Sequence, residues 1–158
     1  LARNAAVKLG YSRDDLSLNL AFEETLRSLG VASTGLKVFD GSGLSHGNRV
    51  SVRTIAELLL KIRNEPQYQA VYDGLPLSGK TGTLKKRFIK DGPEAIGKVK
   101  AKTGWLRNTV TLAGYAKSAD KEYVFAIMAD GITPTLSGRN KARAAMDRLI
   151  EAIVIGNH

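Results

Sequence analysis

The sequence has no cysteine and only two histidines, His46 and His158. The absence of cysteine excludes disulfides and thiolate metal sites, although it leaves the cellular compartment open. Two histidines are too few for a histidine-based metal centre, and we therefore expect neither a metal nor another cofactor. No apolar run approaches the roughly 20 residues that a helix needs to cross a bilayer. We expect a soluble folded domain or part of one.

The sequence also lacks an initiating methionine and a recognisable signal peptide, because it opens with Leu1 and no apolar stretch follows residues 1–4. We expect the chain to be a processed product or part of a longer protein. Its 158 residues, of which 43% are hydrophobic, are enough for one compact core and too few for two ordinary domains.

Acidic residues are scarce relative to basic ones: there are 15 Asp and Glu against 24 Lys and Arg, and the net charge is +9. This excess favours an acidic partner such as nucleic acid, an anionic membrane surface or an anionic cell-wall polymer, or it is a solvated basic surface. The basic residues are scattered apart from 85–87, and no nucleic-acid-binding module surrounds them. We expect no nucleic-acid partner and keep association with a membrane surface or the cell wall open.

Helical patterns occupy the first half of the chain and its end. Glycines that stop a helix follow the first two patterns, and Ser51 can cap the third. The last helix has an amphipathic stripe made of Ala142, Ala145, Met146, Leu149, Ile150 and Ile153. The expected helices span residues 2–9, 16–29, 52–63, 68–72 and 138–155.

Strand patterns follow one another closely between residues 98 and 129. The β-rich runs 98–105, 109–117 and 122–129 are joined by short turns, which predicts an antiparallel meander. An antiparallel sheet flanked by helices is an α+β fold. Three strands make a small sheet for the helices before Gly74, so we expect residues outside this chain to complete a larger sheet.

The tripeptide Lys-Thr-Gly occurs twice, at 80–82 and at 102–104. The first copy lies among glycines and Pro76, which is a loop context, whereas the second ends a strand-like run and opens the meander. Alternation along that strand places Lys102 on the face opposite Ala101 and Thr103, unless the strand bulges at Gly104. In serine acyl-transfer enzymes this tripeptide lies on the strand that borders the active site. The second copy is therefore the candidate site.

Three blocks of the sequence together resemble one family, the S13 peptidases, which are the class C low-molecular-mass penicillin-binding proteins. The blocks occur in the order and at about the spacing of that family, and the resemblance extends over roughly residues 1–155. They are Asp40-Gly41-Ser42-Gly43-Leu44-Ser45 with Asn48, the segment from Leu75-Pro76-Leu77 to Arg87, and Gly97-Lys98-Val99-Lys100-Ala101-Lys102-Thr103-Gly104 continuing to Leu112-Ala113-Gly114-Tyr115.

The resemblance implies a β-lactamase/transpeptidase-like fold, of which residues 1–158 are the C-terminal portion. It also implies a serine-type D-alanyl-D-alanine carboxypeptidase or endopeptidase of bacterial peptidoglycan metabolism that works outside the cytoplasm. Such enzymes act on peptidoglycan stem peptides and are acylated by β-lactam antibiotics. Their Ser-x-x-Lys and Ser-x-Asn motifs lie upstream of the segment that resembles residues 1–5, so the N-terminal portion of the same protein is an expected partner.

The resemblance assigns catalytic roles to Lys102, Thr103 and Gly104. Lys102 and Thr103 would hold the terminal carboxylate of the substrate, and Gly104 would let the backbone come close. Thr103 and Trp105 are the implied substrate-binding residues, and the Trp105 backbone N–H would supply half of the oxyanion hole. The family has Ser or Thr where Trp105 stands, so one hydroxyl contact to the substrate carboxylate is lost. The Trp105 ring would instead stack on the stem peptide or cover the cleft.

Several serines match catalytic patterns by chance. Ser118-Ala119-Asp120-Lys121 and Ser17-Leu18-Asn19 fit the two missing motifs, but we expect Ser118 to lie in a turn and Ser17 to cap a helix. Ser42 and Ser45 are expected to make turn contacts with Asp40. Because no nucleophile with a base remains, the chain alone should not turn over substrate. The alternatives are a non-catalytic relative that binds cell-wall peptide and, with less support, a basic nucleic-acid-binding domain.

Overall fold

The computed structural model describes residues 1–119 and 121–156. The chain divides into two compact units, Leu1–Asn64 and Glu65–His158. Within the described residues each unit has its own hydrophobic cluster, a small one around Ala6 and Leu18 and a larger one around the sheet. The expectation of a single core was therefore wrong, because the apolar residues of the first unit pack among themselves.

The first unit is made of helices and one short paired loop. Its helices are α1 (Ala2–Lys8), α2 (Asp15–Ser28) and α3 (Val52–Lys61), the last followed by a 3₁₀ turn, Ile62–Asn64. Lys37 and Arg49 form an isolated antiparallel bridge between α2 and α3. The predicted helices 2–9, 16–29 and 52–63 are confirmed to within about two residues at each end, which is the usual scatter of helix boundaries.

Side-chain caps fix where α2 and α3 begin. The Ser51 side chain accepts a hydrogen bond from the Thr54 N–H at 3.0 Å, which confirms Ser51 as the N-cap of α3. The cap of α2 is Asp14, which accepts from the Ser17 N–H at 2.8 Å. The prediction that Ser17 caps this helix was wrong, because Asp14 satisfies the N-terminal N–H groups three residues earlier and Ser17 lies inside the first turn.

The second unit contains the predicted meander. It consists of α4 (Tyr68–Gly74), 3₁₀ turns at Gly82–Leu84 and Pro93–Ala95, then β1 (Val99–Trp105), β2 (Val110–Ser118), β3 (Lys121–Ala129) and α5 (Leu136–Ile155). The strands are antiparallel in the order β1-β2-β3. The α+β class and the three strands are confirmed, with strand ends within about one residue of the prediction.

Helix α5 covers one face of the sheet. Val99, Ala101 and Leu112 on that face are fully buried and belong to one cluster with Met146 and Ile150 of the helix. The predicted stripe was partly wrong. Ala145 and Leu149 are exposed, whereas Asp147 and Val154 are buried. The buried face of α5 therefore includes a charged residue, Asp147.

Helix α4 packs on the opposite face, over the beginning of β1. The rings of Tyr68 and Tyr72 lie 5.7 and 5.4 Å from the ring of Tyr115, which is buried, and the Lys100 ammonium lies 4.2 Å from the Tyr72 ring. Beyond Lys100 this face opens, and Lys102 is exposed. No helix among the described residues is long and apolar enough to span a membrane.

Candidate active site

The outer edge of β1 is half covered by the segment 76–78. The Ser78 N–H donates to the Val99 carbonyl at 2.9 Å, and the Ala101 N–H donates to the Pro76 carbonyl at 3.1 Å. On the inner side the Lys117 N–H donates to the Lys98 carbonyl at 2.9 Å. Even-numbered residues of this strand therefore pair with β2, and odd-numbered residues point their backbone groups outward.

By this alternation the backbone groups of Thr103 and Trp105 also point away from β2. The pairing with segment 76–78 extends only to Ala101 in the described part of the chain. We call the outward backbone of Thr103 and Trp105 the free edge. A free edge of this kind offers N–H and C=O groups to an extended peptide or to an oxyanion.

Lys102 lies on the face opposite the buried residues of β1, as predicted. Each residue of β1 from Val99 to Trp105 has one partner on β2, so no bulge at Gly104 turns the lysine toward α5. The Lys102 ammonium reaches around the strand and donates to the Thr103 carbonyl at 2.7 Å. The positive charge is thus held at the free edge.

Gly104 is required by the neighbouring strand. A Cβ atom on Gly104 would lie 2.3 Å from the Oγ1 atom of Thr111, its partner on β2. The absence of a side chain therefore allows the two strands to approach at this position. This is a contact within the sheet, and it adds a packing reason to the one implied by the family resemblance.

The Thr103 hydroxyl is positioned by the preceding loop. It hydrogen-bonds to the hydroxyl of Thr83 at 3.0 Å, and Thr83 follows directly after the first Lys-Thr-Gly copy. The first copy is confirmed as a loop: the Thr81 hydroxyl accepts from the Leu77 N–H at 2.8 Å, and Gly82 has a φ of 51°. Thr83 was missed in the sequence, since nothing local indicates a partner 20 residues away.

A buried ion pair anchors that loop to α5. Arg87 and Asp147 are 8% and 5% exposed, and an Arg87 N–H donates to an Asp147 carboxylate oxygen at 2.5 Å. The same carboxylate accepts from the N–H of Phe88, whose φ is 69°, at 3.1 Å. Burial raises the pKa of Asp147, although the arginine partially opposes the shift. This pair explains why α5 is rotated to bury Asp147.

Trp105 is 56% exposed, and a guanidinium group lies over its ring. The central carbon of Arg139, in the first turns of α5, is 4.1 Å from the ring centroid. This contact was missed in the sequence analysis. The signal that was available is the spacing of Arg139, Arg143 and Asp147, which lie four residues apart on one face of a helix.

The remaining candidate serines have local roles or lie at turns. Ser42 and the Ser45 N–H both donate to Asp40, as predicted, and the Asn48 side chain does so too. These hydrogen bonds, with that of Asn48 the largest, lower the pKa of Asp40 to about 2. Ser118 ends β2 at a turn, and Asp120 of the same motif lies outside the described residues.

His46 is exposed, and His158 lies outside the described residues. A wide cavity of about 690 Å³ is lined by Lys90, Asp91, Leu136, Ser137, Asn140, Lys141 and Ala144. None of residues 102–105 lines this cavity. The candidate site is therefore the free edge of β1.

The chain belongs to the D-Ala-D-Ala carboxypeptidase 3 (S13) family, because that family's sequence model matches residues 14–153. The resemblance inferred from the three sequence blocks is thus confirmed. The matched region includes the Asp40 turn, the loop 76–92 and the whole sheet.

Named relatives agree with this assignment. The chain is 39% identical over 114 residues to a D-alanyl-D-alanine carboxypeptidase of Actinomadura sp. strain R39, covering 69% of this chain and 21% of the relative. It is 32% identical over 154 residues to carboxypeptidase DacB of Mycolicibacterium smegmatis, covering 94% of this chain and 32% of the relative. The chain therefore spans about a fifth to a third of the length of these two proteins.

A solved structure shares the fold. Penicillin binding protein 4 (dacB) from Haemophilus influenzae, in complex with a β-lactam, superposes with a TM-score of 0.81 at 23% identity. The match covers 97% of this chain and 36% of that one. The β-lactamase/transpeptidase-like fold expected from the sequence is confirmed by this likeness.

Proposed function

We propose that this chain is the C-terminal portion of a serine-type D-alanyl-D-alanine carboxypeptidase or endopeptidase of peptidoglycan metabolism. One observation supports this most strongly: Lys102-Thr103-Gly104 lies at a free strand edge in a chain of the S13 family. Residues 1–158 would form the C-terminal part of one transpeptidase-like domain. The whole protein would work outside the cytoplasm, associated with the cell wall or membrane surface.

The chemistry would divide between this chain and its partner. A serine of the N-terminal portion would attack the carbonyl of the penultimate D-alanine, and the amide bond to the terminal D-alanine would break. The leaving amine would take a proton through the lysine and serine motifs of that portion. Water would then hydrolyse the ester and regenerate the serine. A β-lactam would acylate the same serine.

The strand would contribute binding and electrostatics. The Lys102 ammonium and the Thr103 hydroxyl would hold the terminal carboxylate of the stem peptide at the free edge. The Trp105 N–H would donate to the oxyanion, together with the N–H of the nucleophile. Gly104 would keep β1 close to β2 and thereby maintain the direction of that N–H.

The test is covalent labelling with a labelled penicillin, read by intact mass. The chain is incubated alone and together with the N-terminal portion of the same protein that contains Ser-x-x-Lys. We expect one penicillin adduct on the N-terminal portion and an unmodified 158-residue chain. An adduct on this chain would mean that one of its own serines is the nucleophile, and the division of the site proposed above would be wrong.

A second candidate is a non-catalytic relative that binds cell-wall peptide. The exposed Trp105 ring, at the position where the family has a hydroxyl, favours it, because aromatic side chains supply large contact areas at binding surfaces. Binding of stem peptide without any penicillin adduct on either portion would support this candidate over the enzyme.

A further inference from the structure

The loop 85–90 presents only basic and apolar side chains to solvent. Its six residues are Lys-Lys-Arg-Phe-Ile-Lys. Arg87 and Phe88 are buried, whereas the three lysines are exposed and Ile89 is 56% exposed. The loop therefore has an inner side that packs on α5 and an outer side made of three ammonium groups and one branched apolar side chain.

The inner side holds the outer side in place. Arg87 pairs with Asp147, and the Phe88 N–H donates to the same carboxylate at 3.1 Å. Phe88 has a φ of 69°, a conformation that bulky residues rarely adopt and that persists only where the surrounding contacts impose it. A fixed backbone therefore presents Ile89 to solvent directly after a buried ring.

The N-terminal half of α5 continues the same kind of surface. The wide cavity described above lies between this helix and the loop, and its lining includes Lys90, Leu136 and Lys141. Leu136 is 64% exposed, and Lys141 is exposed as well. Because residues that line one cavity face the same opening, the helix and the outer side of the loop form one surface. We call this surface the basic patch; it consists of Lys85, Lys86, Ile89, Lys90, Leu136 and Lys141.

The basic patch has an uncompensated positive charge. Within residues 1–119 and 121–156, no salt bridge involves its four lysines. The neighbouring carboxylate of Asp91 is already paired with Arg148 at 2.8 Å. The patch therefore attracts an anionic surface, and the net charge of +9 on the whole chain acts in the same direction.

The two apolar side chains narrow the kind of anionic partner. A polyanion such as nucleic acid would be bound by the lysines through its phosphates and would leave Ile89 and Leu136 in water. A protein that binds at a bilayer interface uses lysines for the anionic headgroups and buries apolar side chains at the boundary of the acyl chains. The combination of both residue types on one surface fits an anionic lipid membrane.

We propose that the basic patch is a docking surface for an anionic lipid membrane, with its lysines on the headgroups and with Ile89 and Leu136 inserted between them. This inference rests on the proposed function for the location of the protein outside the cytoplasm, and it names the partner of the membrane association proposed there. Docking of this kind is reversible and weakens as salt screens the lysines.

The test is sedimentation of the 158-residue chain with lipid vesicles. One set contains phosphatidylcholine alone, and the other contains phosphatidylcholine and phosphatidylglycerol in equal amounts. We expect at least about 10-fold stronger binding to the anionic vesicles, and a loss of most of that binding at high salt. Equal binding to both sets, or binding to neither, would remove the proposal.

Charge variants assign the binding to the patch. Replacing its three loop lysines together by glutamine should weaken binding to the anionic vesicles about 10-fold or more. The matched control replaces three exposed lysines of the first unit, which removes the same charge and should change the affinity by less than about threefold. An equal loss in both variants would show that net charge alone acts. The control changes are Lys8→Gln, Lys37→Gln and Lys61→Gln.

An apolar variant separates a lipid partner from a polyanion. Ile89→Ser should weaken vesicle binding about 10-fold, because a buried apolar side chain is lost from the interface. Leu9→Ser is the matched control, since Leu9 is 54% exposed in the first unit, and it should leave binding unchanged. If the lysine variant loses binding and Ile89→Ser does not, the patch is a polyanion site and the lipid proposal is wrong. Circular dichroism of each variant checks that the chain has folded.

The vesicle experiment and the penicillin experiment fail separately, because no lipid takes part in the labelling. Penicillin adducts without vesicle binding would leave the proposed enzyme and remove the docking surface. Vesicle binding that depends on Ile89, without adducts on either portion, would keep the docking surface and remove the enzyme.

Discussion

The two Lys-Thr-Gly copies have the same sequence and different surroundings. The copy at 80–82 lies in a loop, where the Thr81 hydroxyl accepts from the main chain of the same turn. The copy at 102–104 lies in β1, paired along its length with β2. The comparison teaches that the tripeptide acquires its geometry from the strand that contains it and from its non-local partners.

The two copies are also connected. Thr83, next to the loop copy, holds the hydroxyl of Thr103 in the strand copy, and the buried pair Arg87–Asp147 anchors the same loop to α5. The loop copy thus belongs to a segment that supports the site. Variants can separate support from direct participation.

The largest effect is expected from removing the anchor of the loop. Asp147→Ala leaves Arg87 buried without its partner, which costs about 3–5 kcal/mol of stability. Urea unfolding measures the loss. Hydrogen exchange should show that residues 79–92 lose protection earlier than β1 does. The more exposed pair Arg148–Asp91, with side chains 59% and 32% exposed, provides the control, because Asp91→Ala should cost about 1 kcal/mol or less. Equal losses for both variants would contradict the anchoring role.

The next effect separates the two lysines. Lys102→Ala should slow penicillin acylation of the chain assembled with its N-terminal portion by about 10²-fold, as expected for removal of one electrostatic contact in a site. Lys80→Ala is the matched control in the loop copy and should change the rate by less than about twofold. A comparable loss for Lys80→Ala would mean that the wrong copy has been chosen.

Smaller effects on the acylation rate and on stability are expected from substituting the threonine of each copy. Thr103→Val should lower the acylation rate about 10-fold, because a hydrogen bond to a charged substrate group is lost, and cost about 1 kcal/mol of stability, because the hydrogen bond to Thr83 is lost too. Thr81→Val should cost a similar amount of stability and leave the acylation rate unchanged. An equal loss of rate in both variants would remove the distinction between the copies.

The smallest effect is expected for Asp14 and Asp40, two carboxyl groups that lie outside both Lys-Thr-Gly copies. The Ser12 hydroxyl and the Asn48 side chain are the main causes that lower the pKa values of Asp14 and Asp40 from 3.8 to about 2. Because the folded-state pKa values are depressed, the stability that these hydrogen bonds contribute is present above pH 3.8 and is lost as the pH falls through about 2. Asp40→Asn should reduce the loss of unfolding free energy between pH 3.8 and about pH 2, which urea unfolding at each pH measures. An unchanged pH dependence would contradict the assignment.

The sequence predicted what depends on local pattern. The three strands, the loop setting of residues 80–82 and the exposed face of Lys102 all follow from alternation and turn residues, which act between neighbours. The family resemblance supplied the roles of Lys102, Thr103 and Trp105, and those roles stay predictions.

The errors have non-local or competing causes. Ser17 was assigned as a cap because its type favours that position, but Asp14 is an equally good cap closer to the helix start. Leu149 was placed in the core of α5 and Asp147 outside it. The partner that reverses this order, Arg87, is 60 residues away, and no helical pattern contains that information.

The distance between Arg87 and Asp147 has a consequence for biosynthesis. The ribosome synthesises β1 and the loop before it, including both tripeptides, before it reaches Asp147. The anchor can form only when α5 has been made and has docked, so the loop matures late although it is made early. A truncated product that ends before Asp147 would therefore contain every residue of the strand copy. It would still lack the ion pair that anchors the loop containing Thr83, the partner of Thr103.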